Sequence, residues 1–294
     1  MRRALLAATC AALPALFACG DPDSGQSVAA ESYSRIVTLA PNLAELVFTA
    51  GAGDALVGVS AYSDYPPAVE ALPLVGDAFT IDQERLALLR PELLLAWESG
   101  TPAHVVDDLR QAGYAVEVIR TRSLGDITTA LVRIGELAGT GPVAREVAAE
   151  FAASLQQLGD RYGAAETIRV FYQVSSRPLY TVGREHYVSE LIELCGGRNV
   201  FADVVELAPA IDVEAVVDRN PEVMLASDDA VDDAFGEWGR WPSIAANRYG
   251  NHFLLPADEL SRPTTRVLAA GEAVCDALRS ARMRRAGLNA LSDG

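Results

Sequence analysis

Two stretches decide how this chain reads: Ile81–Trp97, IDQERLALLRPELLLAW, and Ile211–Ser227, IDVEAVVDRNPEVMLAS. At a constant offset of 130 residues, Ile, Asp, Glu, Pro, Glu, Leu and Ala recur in register. In each copy an Asp opens a short segment, a Pro closes it and an apolar run follows. Asp is a favoured helix N-cap, and the residue before a Pro is steered away from helix. The apolar run reads as a strand buried on both faces. The repeat therefore predicts two related lobes, each carrying the same helix–Pro–strand unit.

The flanks extend the pattern. RIVTLA from Arg35 reads as a strand, Pro41-Asn42 opens the helix AELVFTAG, and ALVGVS is a second strand. HVVDDLRQAG is a helix closed by Gly113, YAVEVIR a strand and LGDITTALVRIGELAG a helix. Pro142 then opens a helix of about 20 residues, roughly 30 Å long. Beyond it come RVFYQV, VSELIELCGG, EVMLAS, FLLP and a C-terminal helix RPTTRVLAAGEAVCDALRSAR. Strands alternating with helices predict parallel sheets covered on both faces. The expected fold class is α/β: two Rossmann-like lobes, 35–140 and 165–294, joined by one long interlobe helix, 141–164. Lobes held apart by that helix would leave a cleft at the carboxyl ends of the strands, where a small molecule is expected.

Composition agrees with a folded, exported body. Of 294 residues, 50% are hydrophobic and 22% charged, which excludes a disordered or fibrous chain. A net charge of −16 argues against nucleic acid, whose phosphates need a basic stripe. Residues 1–18, MRRALLAATCAALPALFA, place two Arg before an apolar run and read as a secretory signal, too short to span a bilayer comfortably. Leu16-Phe17-Ala18-Cys19 resembles a bacterial lipobox, with Cys19 as the lipidated residue and 19–34 as a flexible tether. Ordinary cleavage near the same place is the alternative. Export implies an oxidising compartment, so Cys195 and Cys275 read as a disulfide. Closing a loop of about 80 residues would stabilise by about 4 kcal/mol on the chain-entropy account. Two buried thiols are the other reading.

Catalytic signals are missing. His104, His186 and His252 sit in different elements without metal-ligand spacing, and no GxSxG, P-loop, HExxH or dinucleotide glycine pattern occurs. The informative segment is Val57–Pro67, VGVSAYSDYPP. Pro66-Pro67 stiffens a loop that follows directly on a strand, so Tyr62, Asp64 and Tyr65 are held in place. By themselves these residues suit a tyrosine-capped turn as well as a binding loop.

From Arg35 to about Leu278 the chain resembles the periplasmic cobalamin-binding proteins of the BtuF type, in the single-helix-hinge class of ABC-importer binding proteins. The resemblance rests on RIVTLAPNLAEL, VGVSAYSDYPP, PELLLAW, RVFYQV, ELCGGRNVF and RPTTRVLAAGEAVCDAL. It implies a substrate-binding protein without a cofactor of its own, carrying cobalamin or a related corrinoid. Tyr62 and Trp97 would cover the macrocycle from one lobe and Tyr180 from the other, with Asp64 and Phe79 nearby. Asp258 and Arg262 would contact the amide rim. Read structurally, Trp97 is core filler and Asp258–Arg262 a surface i,i+4 pair. Glu84 and Glu214 occupy equivalent places in the repeat, where a helix dipole favours negative charge. The resemblance adds that they dock onto arginines of a two-fold permease. It also implies an ABC permease with its ATPase as partners, a monomer in the periplasm, and membrane contact through the Cys19 anchor alone. Two aromatic positions of the family align with Ala78 and Ala208, so the pocket has fewer rings than the pattern. A ferric-siderophore or haem carrier of the same fold, and an enzyme on a chelatase-like two-lobe fold, are the competing readings.

Overall fold

The computed structural model describes residues 32–229 and 233–292. Residues 1–31, which hold the expected signal, Cys19 and all but the last three residues of the expected tether, lie outside them. The first lobe runs β1 (Ile36–Thr38), α1 (Pro41–Thr49), β2 (Leu56–Gly58), α2 (Gln83–Leu89), β3 (Leu93–Trp97), α3 (Ala103–Gln111) and β4 (Val116–Ile119). Then come α4 (Leu124–Ala138) and the 22-residue α5 (Gly141–Tyr162). The second lobe runs β5 (Ile168–Gln173), a hairpin of β6 (Ser175–Ser176) and β7 (Leu179–Tyr180), α6 (Tyr187–Leu194) and β8 (Gly197–Asn199). It continues through α7 (Val213–Arg219), β9 (Val223–Ser227), α8 (Ala245–Tyr249), β10 (His252–Leu255), α9 (Ala257–Ser261) and α10 (Val267–Ser292).

The first sheet is ordered β2-β1-β3-β4 and the second, read in the same sense, β8-β5-β9-β10; the strands of both are parallel. The 130-residue repeat maps onto α2–β3 and α7–β9. Asp82 and Asp212 cap their helices, accepting from the Arg85 and Ala215 amides. Glu92 and Glu222 immediately precede the strand that follows, and their amides donate to equivalent carbonyls, Arg35 O just before β1 and Arg169 O in β5. The duplication therefore extends to individual hydrogen bonds.

The long helix α5 packs against both lobes. Ala144, Phe151, Leu155 and Leu158 of α5 belong to a single hydrophobic cluster that also contains Leu43 and Ile127 of the first lobe and Val170, Leu191 and Val274 of the second. The outer faces of the two sheets have separate clusters. α4 lies tightly on α5: a Cβ at Gly135 would stand 2.3 Å from Ala144 Cβ, so the approach requires glycine there. A Ser123–Asp126 capping box starts α4.

Cys195, at the end of α6, is bonded to Cys275 of α10, and both are fully buried. The C-terminal helix starts at Val267 rather than at Arg262. Pro263 has no N–H to give, and the side chains of Arg262, Thr264 and Arg266 bond instead to Glu45 of α1. Gly196 closes α6 with φ 70°, as a helix stop should, but Gly197 goes straight into β8.

Candidate functional site

The loop after β2 carries the first group of candidate residues. Val59 pairs in parallel with Leu74, and the Ala61 amide donates to Gly76 O. Tyr62 then adopts φ 67°, a left-handed conformation uncommon for a bulky residue, and its side chain is 81% exposed. An exposed aromatic on a strained backbone persists only where its surroundings hold it. Here the holder comes from the other lobe. Arg262 donates through Nη2 to Tyr62 O at 3.3 Å and to Asp64 Oδ2 at 3.1 Å, and through Nη1 to Asp64 Oδ1. The paired guanidinium lowers the Asp64 pKa below the ordinary carboxylate value. Asp258, one helical turn before Arg262, adds a longer contact of 3.5 Å. Tyr62, Asp64, Asp258 and Arg262 are thus brought together. Asp258–Arg262 is more than a surface pair, because Arg262 is largely buried and faces three carboxylates.

Trp97 ends β3, half-buried. Its Nε1 donates to Thr121 Oγ1 at 2.8 Å and its amide to Thr101 Oγ1 at 3.1 Å. Gly100 lies against the ring, where a Cβ would come within 2.2 Å of Cε3. Trp97 also packs on the shared core, so the core-filling reading is part of its role. Beside it, Arg122 pairs with Glu98 and lowers that carboxyl's pKa. Tyr180 ends the hairpin that follows β5, pairing with Ser175 and bridging to Ala210. Phe79 is 72% exposed on a turn in which Asp77 accepts from the Phe79 and Thr80 amides. No hydrogen bond among the described residues links Phe79 or Tyr180 to the Arg262 group.

Glu84 and Glu214 are exposed in the first turns of α2 and α7. Each is wired to the loop bearing its lobe's candidate aromatic. In the first lobe Ala61 bonds to Gly76, and Gly76 bridges to Ile81, immediately before α2. In the second, Tyr180 bridges to Ala210 and Ile211 donates to Leu179 O, immediately before α7.

Sequence reasoning passed over Glu45, Thr264 and Arg266, and named Tyr65 only as part of the stiffened loop. Glu45 lies in α1, within an apolar helix, and is only 2% exposed. It accepts from Arg262 Nη1 and Arg266 Nη1, both at 3.1 Å, and from Thr264 Oγ1 at 3.0 Å. The Arg266 guanidinium also lies 4.2 Å from the Tyr65 ring centroid. A charged residue between the apolar Ala44 and Leu46 was the available signal. No group of three or more metal-ligating side chains occurs among the described residues. His186 caps α6 through Nδ1, and burial lowers its pKa to about 4, so at neutral pH it is an uncharged structural acceptor. No helix of the described residues is long and apolar enough to cross a membrane.

Residues 36–259 match the family model described as periplasmic binding protein. A vitamin B12-binding protein of Vibrio cholerae serotype O1 is 36% identical over 248 residues, spanning 84% of this chain and 90% of that protein. A vitamin B12-binding protein of Vibrio campbellii is 34% identical over 277 residues, covering 94% and 98% of the two chains. Among solved structures, the periplasmic vitamin B12 binding protein BtuF of Vibrio cholerae superposes with a TM-score of 0.76 at 36% identity, over 85% of this chain and 98% of that one. The periplasmic haem-binding protein BhuT, solved with two haems, superposes at 0.73 but with 22% identity, over 85% and 99% of the two chains, a likeness of fold alone.

Proposed function

The chain belongs to the periplasmic binding protein family, and from that premise we propose that it is the substrate-binding protein of an ABC importer whose cargo is cobalamin or a closely related corrinoid. The observation that carries this reading is 36% identity over 84% of the chain to a vitamin B12-binding protein. The residues agree with it chemically. A corrin is a broad disc with apolar faces and a rim of amides. Aromatic side chains cover such faces at low entropic cost, and a few polar groups orient the rim. Tyr62 and Trp97 are assigned to one face and Tyr180 to the other, with Asp64, Phe79, Asp258 and Arg262 around the edge. Asp258 suits the rim role because its side chain is 62% accessible.

Delivery follows from the duplicated half-structure. Glu84 and Glu214 stand at equivalent positions of two equivalent helices. A two-fold permease presenting one arginine per half would meet one carboxylate per lobe, and carboxylate–Arg pairing is geometrically specific. The work is capture and release rather than turnover, carried out in the periplasm by a monomer tethered through Cys19. The core shared through α5 supports a small closure on binding. Scattering curves that change grossly with ligand would count against that.

Titration calorimetry of the mature protein with cyanocobalamin, cobinamide, haemin and a ferric siderophore tests the cargo. Binding of the corrinoids but not of the other two is expected. Binding of haemin or the siderophore alone overturns the assignment.

A further inference from the structure

Glu45 is a buried carboxylate for which a carrier of neutral, amide-rimmed cargo has no evident chemical use. Its partners explain its presence. Arg262, Thr264 and Arg266, all from the turn between α9 and α10 in the second lobe, donate to it, and Glu45 itself belongs to α1 of the first lobe. Arg262 then passes the connection on, gripping both Asp64 oxygens and the carbonyl of left-handed Tyr62. Arg266 is held in turn by Glu259 and stacks on Tyr65. Both arginines therefore reach from a buried anchor to a loop that carries an exposed tyrosine.

We propose that Glu45 is a positioning residue: by fixing Arg262 and Arg266 across the lobe junction, it sets the Tyr62–Tyr65 loop in its ligand-ready conformation before cargo arrives. The affinity consequence rests on the function proposed above; the effect on the loop does not. Two physical arguments favour the role. A buried charge is tolerated only when its partners are fixed, so the Arg262–Arg266 turn has one arrangement relative to α1. A strained backbone such as that at Tyr62 relaxes when its external hydrogen bonds are withdrawn. Preorganisation of a binding loop raises affinity by removing the ordering cost from the binding step.

The test uses Glu45→Gln, which keeps shape and removes charge, and Thr264→Val, which removes one donor to Glu45 and leaves every charge in place. Amide hydrogen exchange of residues 61–65 in the ligand-free protein should accelerate in both variants, more in Glu45→Gln, while exchange in β5 and β9 stays unchanged. Cyanocobalamin affinity should fall about tenfold in Glu45→Gln, and that loss should shrink to about twofold when Tyr62→Ala is already present, because the anchor acts through the tyrosine loop. Unchanged exchange at 61–65 overturns the proposal, as do losses that simply add. Should Glu45→Gln not fold, Thr264→Val decides by the same two measurements. Should the unmodified protein not bind cyanocobalamin, the cargo assignment falls, and the exchange data still decide the role of Glu45.

Discussion

Arg90 and Asn220 end equivalent helices in the same left-handed conformation, φ 45° in each, with ψ 58° and 65°. Their hydrogen bonds differ. Asn220 Oδ1 accepts the Ala245 amide at the start of α8, whereas Arg90 contributes its carbonyl to Arg35 Nε. A left-handed residue is costly for most side chains and free for glycine. Arg90→Gly should therefore raise stability by about 0.5–1 kcal/mol, and Arg90→Val should lower it. Asn220→Gly should not gain, because it strips the Ala245 amide of its acceptor at a cost of about 1 kcal/mol. Urea denaturation of the three variants reads this directly; equal gains at both positions would contradict it.

Removing the rings should weaken binding without unfolding the protein. Tyr62→Ala together with Trp97→Ala is expected to reduce corrinoid affinity at least about tenfold. Gly100→Ala offers a gentler version, since the new Cβ would meet the Trp97 ring at 2.2 Å and displace it. Calorimetry should show that single methyl group lowering affinity; unchanged binding in all of these variants would move the site elsewhere.

Reversing the charge of Glu84 and Glu214 together should leave affinity intact and abolish uptake in cells that depend on this carrier. Both carboxylates are exposed and make no side-chain hydrogen bond or salt bridge among the described residues, so folding should not suffer. Normal uptake by the doubly reversed variant would remove the docking role.

Acid should release the lobe junction in a defined sense. Hydrogen bonding to Arg262 holds the Asp64 pKa below its ordinary 3.8. A carboxylate whose pKa is lower folded than unfolded contributes stability that is complete above the unfolded value and is lost as pH falls through the folded one. The Asp64–Arg262 pair therefore stabilises fully at neutral pH and fades below about pH 4. Asp64→Asn should be less stable than the parent at pH 7, and the gap should narrow toward pH 2. A gap independent of pH would show that the pair does not titrate with the fold.

The duplication, the parallel α/β lobes and the helix between them were legible in the chain because they rest on local chemistry. Asp caps, Pro stops, glycine closures and five-residue apolar runs act over a few neighbouring residues, and the 130-residue offset repeats them. Tyr62, Asp64, Asp258 and Arg262 could be named only through the family resemblance, and the Cys195–Cys275 bond from compartment and parity. Other features required the folded chain. Arg262 lies 217 residues from Glu45 and 198 from Asp64, and no pattern along the sequence records that three side chains so far apart converge. The shared core around α5 was equally hidden, since periodicity says which face of a helix is apolar but not what covers it. Local preference chose the elements; burial of distant surfaces against one another decided that the two lobes meet through a common core and a buried carboxylate.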